Sequence, residues 1–208
     1  MTPTPGFSSV IIVGGGPAGL LLSILLARHN PTLRVTVLEM AAALDTNSRA
    51  AHYGQPAVHE LRRAGVIDDV RAAGFILGTT CWRKLDGTYI VGLDGSVLDG
   101  TADRLTCLPL DQLGKVLSEH LLRYQNAELR LGPKVVDLGE EGRKAWVDVV
   151  FDGQGGGAEE VKKRMEADYV VGCDGANSRV RRSLFGDRNF PGWTWDKQIV
   201  ATNVGFVL

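Results

Sequence analysis

The chain begins with two apolar segments separated by a glycine-rich turn. Residues 10–13, "VIIV", form an uncharged run that is typical of a strand buried on both faces of a sheet. A helix is predicted from Pro17 to about His29, and its many leucines leave little polar surface. The "NPT" stretch at residues 30–32 ends it, because proline cannot continue a helix. A second strand follows at residues 33–39, so the pattern predicts a β–α–β unit with parallel strands and a right-handed crossover.

The rest of the chain mixes alternating and helical patterns. A polar, irregular stretch after Glu39 predicts a loop, and a short helix follows with Pro56 at its start and Gly65 at its end. The later apolar patterns predict antiparallel strands at 79–108, an amphipathic helix at 108–124, strands at 127–138, two strands within 144–172, a helix at 176–185 and a strand at 197–208. The triple glycine at 155–157 is interpreted as a hairpin turn rather than an interdomain linker, because alternation continues on both sides.

Composition and charge exclude several classes of function. The 208 residues are 44% hydrophobic with a net charge of −1, so we expect no nucleic acid and no anionic membrane as partner. Cys81, Cys107 and Cys173 are too widely spaced for a metal cluster, and we expect reduced thiols and a cytoplasmic protein. No metal site is predicted. The uncharged stretch at 10–27 is broken by glycine and proline, and its helical part is too short to span a membrane. No basic residue precedes it, as a signal peptide would require.

The turn after the first strand carries the spacing Gly14-x-Gly16-x-x-Gly19 between a strand and a helix. In this context Gly14 permits the tight turn, Gly16 lets the backbone approach a pyrophosphate, and Gly19 lets the helix pack closely on the sheet. The helix N-terminus offers free N–H groups and a partial positive charge to the same pyrophosphate. These residues therefore predict a dinucleotide site.

Glu39 ends the second strand, 20 residues after Gly19. A carboxylate there accepts hydrogen bonds from ribose hydroxyls and repels a 2′-phosphate, which favours FAD or NAD over NADP in this slot. The physics of these positions leaves FAD and NAD both open. "GGGPAGL", which adds Pro17 and Ala18, resembles the flavoprotein monooxygenase form of the motif. A plain NAD-dependent dehydrogenase remains a weaker alternative.

A second motif, "GCDGANSRVR", follows a later apolar strand. It resembles the Asp-Gly motif of the group A flavoprotein monooxygenases, the family of para-hydroxybenzoate, phenol and salicylate hydroxylases. The matching residues are Cys173, Asp174, Gly175, Ala176, Ser178 and Arg179. The resemblance implies that Asp174 and Gly175 lie near the flavin, with Arg179 the best candidate for a contact to an anionic cofactor. Asp174 can also serve as a helix N-cap, and the two roles are compatible.

The resemblance extends to two further segments. "NSRAAHYGQ" resembles the segment after the second strand of that family, which makes Arg49 a candidate for the flavin side of the cofactor. His52 is more readily explained as a structural or exposed residue. Where the family often has Arg or Gln at the start of the amphipathic helix, this chain has Leu110. The polar contact is therefore absent or displaced to Gln112.

The resemblance implies a Rossmann-like α/β FAD-binding domain, with a parallel sheet and antiparallel β-hairpin insertions, at residues 1–185, and the beginning of an antiparallel substrate domain at 186–208. It implies a monooxygenase that uses FAD, NADPH or NADH, and O₂. The expected reaction is hydroxylation of a small aromatic, phenol-like substrate through a flavin C4a-hydroperoxide, with no catalytic side chain from this chain. The family's later Gly-Asp motif is missing here. The alternative is therefore an FAD-binding fragment or partner subunit without productive hydroxylation, as a homodimer or with a partner that supplies the other half.

Overall fold

The computed structural model describes residues 7–47, 52–151, 161–187, 190–193, 195–198 and 200. The helices are α1 (Pro17–His29), α2 (Gln55–Ala64), α3 (Ile67–Ala73), α4 (Leu110–Leu121) and α5 (Arg179–Phe185). The strands are β1 (Ser9–Val13), β2 (Arg34–Glu39), β3 (His52–Tyr53), β4 (Phe75–Ile76), β5 (Thr79–Arg83), β6 (Tyr89–Asp94), β7 (Thr106–Cys107), β8 (Ala127–Leu131), β9 (Pro133–Glu141), β10 (Lys144–Phe151), β11 (Val161–Ala167) and β12 (Tyr169–Gly172).

A four-stranded parallel sheet in the order β12-β1-β2-β8 is the centre of the fold. All five residues of β1 are buried, as the uncharged run predicted for a strand covered on both faces. The β1–α1–β2 unit is confirmed with its predicted helix bounds. The later strand β12 returns to pair with β1, with Val10 opposite Tyr169 and Val13 opposite Gly172. This pairing brings two segments about 160 residues apart in the chain to the same strand pair.

Helices α1 and α4 cover one face of this sheet, and α2 packs against α1. Helix α4 turns Leu113, Leu117 and Leu121 toward α1, which confirms the predicted amphipathic face. Each such buried leucine stabilises the fold by about 1.5–3 kcal/mol. Helix α2 ends at Gly65, whose φ of 77° is the left-handed conformation expected at a helix C-terminus. Helix α3 was not predicted, because a seven-residue helix offers too few turns to show a period.

The opposite face is covered by an antiparallel three-stranded sheet, β11-β10-β9. Its apolar side chains, including Val147 and Val149, pack against Ile11 and Val13 of β1. The predicted hairpin of β10 and β11 is confirmed by the pairing of Phe151 with Val161. The prediction of only two strands in this stretch is wrong, because the second is divided at Asp168 into β11 and β12, which belong to different sheets. The triple glycine between these strands lies outside the described residues.

Two carboxylates, those of Asp148 and Asp168, form ion pairs that stabilise the antiparallel sheet and its junction with the parallel sheet. Asp148 on β10 accepts hydrogen bonds from Arg164 at 2.9 and 3.1 Å and pairs with Lys162 at 2.9 Å, and these cations hold its pKa at about 2. Asp168 accepts hydrogen bonds from the Ser8 and Ser9 amides and from Lys144 Nζ at 2.5 Å. The Lys144 contact is the main cause that keeps the pKa of Asp168 well below its usual range. Asp168 therefore joins the beginnings of β1, β10 and β12.

The remaining strands form the small antiparallel sheet β3-β7-β4 and the hairpin β5-β6. Strands β5, β6 and β7 were predicted within residues 79–108, whereas β3 and β4 were not predicted. The predicted C-terminal strand falls almost entirely outside the described residues. The cysteines Cys81, Cys107 and Cys173 are free thiols, as expected. No helix among the described residues is long and apolar enough to cross a membrane. Among the same residues, no cluster of side chains is suited to a metal ion.

Candidate functional site

The two glycine motifs meet at the carboxyl ends of β1 and β12. Gly14 follows β1 with a φ of 108°, a conformation that disfavours any other residue. A β-carbon at Gly14 would lie 2.6 Å from the carbonyl carbon of Cys173 and 2.9 Å from Cα of Asp174. The first glycine loop and the Asp-Gly motif are therefore in backbone contact. They lie at the edge of the sheet where open α/β folds bind their ligands.

The beginning of α1 has the features required to bind a pyrophosphate. Gly16 is the residue before the helix, and no side chain caps this terminus or places an acid in its first turn. A β-carbon at Gly16 would meet no protein atom within 4 Å, so the surface above it is open. Since the first amides of a helix have no partner within it, they are available to an anionic group. Gly16, Pro17 and Ala18 thus lie at this open helix start, and their contact with the phosphates stays a prediction.

Gly19 serves packing, as expected from its position. A β-carbon there would overlap the carbonyl oxygen of Gly14 and lie 3.3 Å from Cβ of Cys173. Only glycine lets α1 come this close to the loop and to the second motif. Gly19 therefore fixes the helix N-terminus beside the junction of the two motifs.

Glu39 turns back toward the glycine loop. Its Oε2 accepts a hydrogen bond from the Gly15 amide at 2.7 Å, and its Oε1 accepts one from the Ala41 amide at 2.9 Å. Each carboxylate oxygen can accept a second bond, so Glu39 can still receive ribose hydroxyls. Gly15 was not singled out in the sequence, although a β-carbon there would lie 2.8 Å from Cβ of Glu39. The available signal was that Gly15 is the middle one of three consecutive glycines.

Asp174 accepts hydrogen bonds from the N-terminus of α5, whose N-cap is Ser178. Its Oδ2 accepts hydrogen bonds from the amides of Arg179 at 2.6 Å and Val180 at 3.2 Å. Its Oδ1 accepts the Ser178 hydroxyl at 2.6 Å, and Ser178 Oγ in turn accepts the Arg181 amide at 2.9 Å. The N-cap of α5 is Ser178, so the expectation that Asp174 is the N-cap is wrong; Asp174 lies four residues before Ser178 and instead accepts the first two amides of the helix. A ligand role remains a prediction, supported by the proximity of its backbone to Gly14.

Gly175 and Arg179 lie next to this cap. Gly175 has a φ of 77°, and a β-carbon there would meet open space. Arg179 is about half exposed, and its guanidinium lies 3.9 Å from the Asp137 carboxylate on β9. Its backbone, rather than its side chain, is the part that contacts Asp174. A cofactor contact by Arg179 stays a prediction.

The remaining candidates lie farther along the same edge or outside the described residues. Arg49 is outside the described residues, so its predicted role has no structural test here. Gln112 is exposed in the first turn of α4 and donates to Asp111 Oδ2 at 3.0 Å. Because α4 precedes β8, just as α1 precedes β2, both helices begin at the edge of the sheet that carries the glycine loop. Gln112 thus lies on the expected side of the sheet.

A buried tyrosine also supports this edge. Tyr53 of β3 donates its hydroxyl to the carbonyl oxygen of Leu108 at 2.9 Å, immediately before α4. Burial, followed by the nearby Asp111 and Cys107, raises the pKa of Tyr53 to about 12. The hydroxyl stays protonated and keeps the start of α4 attached to β3.

The comparison with known proteins agrees with this geometry. The model of a family described as "FAD binding domain" matches residues 8–202. The chain is 39% identical over 95% of its length to a 6-hydroxy-3-succinoylpyridine 3-monooxygenase of Pseudomonas putida, of which it covers 48%. It is 31% identical over 94% of its length to a para-nitrophenol 4-monooxygenase of a Pseudomonas species, of which it covers 46%.

The solved structures include the crystal structure of a p-nitrophenol 4-monooxygenase from Pseudomonas putida. It superposes with a TM-score of 0.76 at 29% identity, over 86% of this chain and 43% of that chain. The chain therefore spans about half the length of the relatives that it matches. The family match, the α/β fold and the junction of the two glycine motifs lead to one assignment: the chain belongs to the FAD-binding domain family of the FAD-dependent aromatic monooxygenases.

Proposed function

We propose that this protein is the FAD-binding part of a monooxygenase that uses NADH or NADPH and O₂ to hydroxylate an aromatic, phenol-like substrate. The observation that carries the proposal is the contact of Gly14 with Cys173 and Asp174, which joins both flavoprotein motifs at one edge of the sheet. Both relatives above are monooxygenases whose names specify an aromatic substrate with a polar ring substituent. A phenol-like ring is the substrate class that these names share.

The residues present are suited to FAD in the following way. The open backbone at Gly16 and the uncapped start of α1 would receive the pyrophosphate, and Glu39 would accept the adenosine ribose hydroxyls. Asp174 and Gly175 would form the wall nearest the flavin. Arg49, Gln112 and Arg179 are proposed as further contacts, on the family resemblance alone. The Glu39 carboxylate repels a 2′-phosphate, so this ribose site favours FAD over NADP, which carries a phosphate on the 2′ oxygen.

Bound FAD would supply the redox chemistry, by the C4a-hydroperoxide route that the family resemblance implies. The balanced reaction converts NAD(P)H, H⁺, O₂ and an aromatic C–H into NAD(P)⁺, water and a phenolic C–OH. This chain's own contribution is to bind and orient the cofactor, and no side chain is proposed as nucleophile or metal ligand. The division into an FAD-binding domain at 1–185 and the start of a substrate domain at 186–208 is part of the proposal, as is a cytoplasmic location.

A second candidate function is binding of FAD without productive hydroxylation. It concerns residues 1–208 taken by themselves, and they cover less than half of either curated relative. A flavin exposed to water on one side would release H₂O₂ instead of transferring oxygen to a substrate. A partner chain or a second copy would then have to complete the site.

The test is reconstitution with FAD, followed by NADPH or NADH oxidation with 4-nitrophenol or 6-hydroxy-3-succinoylpyridine as substrate. We expect an equimolar yellow complex with FAD, and the Gly16→Ala variant serves as the binding control. A ring-oxygenated product formed in proportion to the NAD(P)H consumed supports the monooxygenase. With 4-nitrophenol, whose C4 carries the nitro group in place of hydrogen, oxygen entering at C4 releases nitrite and leaves the quinone. FAD binding with H₂O₂ as the sole oxygen product supports the second candidate. A folded protein that stays colourless with excess FAD contradicts both.

A further inference from the structure

A pocket of about 270 Å³ lies between the two sheets, at the amino ends of β1 and β2. Ser9 and Arg34, the first residues of these strands, line it together with residues of β8 and β11. None of the residues of the Gly14–Gly19 loop lines it, and neither do Glu39 and Asp174, so this inter-sheet pocket is distinct from the proposed cofactor site. Its volume is just below the range of about 300–1,000 Å³ that holds drug-sized ligands, so its occupant must be small.

Two arginines of the parallel sheet face the inter-sheet pocket. Ile11 of β1 packs toward the antiparallel sheet, and its register partner on β2 is Thr36. Because side chains alternate along a strand, Arg34 lies on the same face as Thr36. Arg130 lies there too, since it is opposite Leu38, which belongs to the same apolar cluster as Ile11. Both guanidinium groups therefore border the space between the sheets.

The antiparallel sheet contributes a third cation, Lys163. Met165 on β11 packs on the apolar side of this sheet, and alternation places Lys163 on the same side. Arg164 and Glu166 lie on the other face of β11, where the Arg164 guanidinium binds Asp148. Lys163 thus faces the parallel sheet across the pocket.

One carboxylate, that of Glu128, faces these three cations. It accepts hydrogen bonds from Thr36 Oγ1 at 2.9 Å and from Arg130 at 2.7 Å. Burial opposes its ionisation, but these bonds and the charge of Arg34 hold the pKa of Glu128 below its usual range. Among the described residues, neither Arg34 nor Lys163 forms an ion pair. Three inward cations and one carboxylate therefore leave an excess of about two positive charges in the pocket.

We propose that the inter-sheet pocket binds a phosphate dianion, as the free ion or as a small phosphate monoester, through Arg34, Arg130 and Lys163. A phosphate monoester carries about −1.5 to −2 charges at pH 7 and three strong acceptor oxygens. Its charge matches the excess in the pocket, and its oxygens suit cations that approach from three strands. The bound ion links β11 of one sheet to β2 and β8 of the other.

The test is a titration of inorganic phosphate and of glycerol 3-phosphate into the Gly16→Ala variant, followed by phosphorus NMR. This variant obstructs the start of α1, because a helix N-terminus is itself able to bind phosphate. At an ionic strength held constant with NaCl, we expect saturable binding with a Kd on the order of 1 mM. The urea concentration at the unfolding midpoint should rise with phosphate and not with chloride. Tighter binding of glycerol 3-phosphate would assign the pocket to a monoester, and equal binding would assign it to the free ion.

Variants that change one charge locate the ion. Lys163→Gln should weaken phosphate binding by about tenfold, because one charge-assisted hydrogen bond is lost. Lys115→Gln is the matched control, since Lys115 is exposed on α4, which covers the opposite face of the parallel sheet, and it should leave the affinity unchanged. Glu128→Gln should tighten phosphate binding by about tenfold, because it removes the carboxylate that competes for the same cations. A merely structural role of Glu128 gives no such gain.

Several outcomes would overturn the proposal. They are a phosphate effect no larger than that of chloride, equal effects of the two lysine variants, and a Glu128→Gln variant that binds phosphate no more tightly than its parent. Phosphate binding that is present in wild type and lost in Gly16→Ala would place the ion at the start of α1 instead. No residue of the proposed cofactor site lines the pocket, so Lys163→Gln should bind FAD as wild type does, and the two proposals can fail separately.

Discussion

The open space above Gly16 and the crowded space around Gly14 predict opposite effects of the same added methyl group. In Gly16→Ala the new Cβ meets no protein atom within 4 Å, and the φ of −70° and ψ of 175° suit alanine. Loss of unfolded-state entropy stabilises such a variant by about 0.4–1 kcal/mol, and the poorer N-cap offsets this by a similar amount. The unfolding free energy should therefore stay within about 1 kcal/mol of wild type.

The affinity of Gly16→Ala for FAD should nevertheless fall. The methyl group occupies the surface that the pyrophosphate must approach, so one charge-assisted hydrogen bond from an amide is lost. Such a bond contributes about 1.5–3 kcal/mol, which corresponds to a rise in Kd of about 10- to 150-fold. Titration of FAD, followed by its fluorescence, measures the Kd, and urea unfolding without FAD measures the stability.

Gly14→Ala is the matched comparison. A φ of 108° costs a non-glycine residue about 1–2 kcal/mol, and overlap with the Cys173 backbone adds about 1–3 kcal/mol. We expect a loss of about 2–5 kcal/mol in stability together with the loss of FAD binding. If Gly16→Ala binds FAD as tightly as wild type, or if Gly14→Ala unfolds at the wild-type urea concentration, the assignment of these two glycines is wrong.

Three further predictions concern single side chains. Glu39→Gln should raise the Kd for FAD by about tenfold, because a neutral amide is a weaker acceptor for ribose hydroxyls, and an unchanged Kd in the same titration would remove this contact. The pKa of Asp148 is lowered to about 2, so its ionised form stabilises the fold above pH 4 and this stabilisation is lost as the pH falls toward 2. Unfolding curves between pH 5 and 2 should show a steeper loss for wild type than for Asp148→Asn, and parallel curves would contradict the role of the Arg164 contact. The pKa of Tyr53 is raised to about 12, so the protonated hydroxyl stabilises the fold fully below pH 10 and this is lost as the pH rises toward 12. Tyr53→Phe should be less stable than wild type at pH 8 by about 0.5–1.5 kcal/mol, the value of its hydrogen bond to Leu108, and this difference should shrink by pH 11.5.

Local patterns predicted much of the fold because the forces behind them act over a few residues. The bounds of α1, the amphipathic face of α4 and the β10–β11 hairpin follow from periodicity and from proline or glycine at element ends. Helix α3 escaped prediction because seven residues carry little periodic signal, and its buried Ile67 and Val70 gain stability from packing on the core. The Asp148 cluster likewise escaped, because its partners Lys162 and Arg164 lie on another strand.

In the candidate site, too, some features follow from the local sequence and others appear only in the folded structure. The spacing of Gly14, Gly16 and Gly19 was sufficient to locate the loop, because each of these positions requires a residue without a side chain. The sequence left Asp174 with two roles, N-cap or ligand contact; the structure gives the N-cap position to Ser178, and Asp174 accepts the Arg179 and Val180 amides instead. The hydrogen bond from the Gly15 amide to Glu39 depends on the register between β1 and β2. No single segment of the sequence encodes this register.

By itself, the sequence determined the β–α–β unit, the positions of both glycine motifs and their suitability for a dinucleotide cofactor. Turn sterics and hydrophobic periodicity impose these features locally, whatever the distant parts of the chain do. The tertiary structure decided that β12 pairs with β1 and that Cys173 and Asp174 lie against Gly14. Among the described residues, it also leaves the far edge of β12 without a paired strand. Strand order depends on the packing of the whole chain around two shared cores, so neighbours about 160 residues apart are set only when the complete fold has formed.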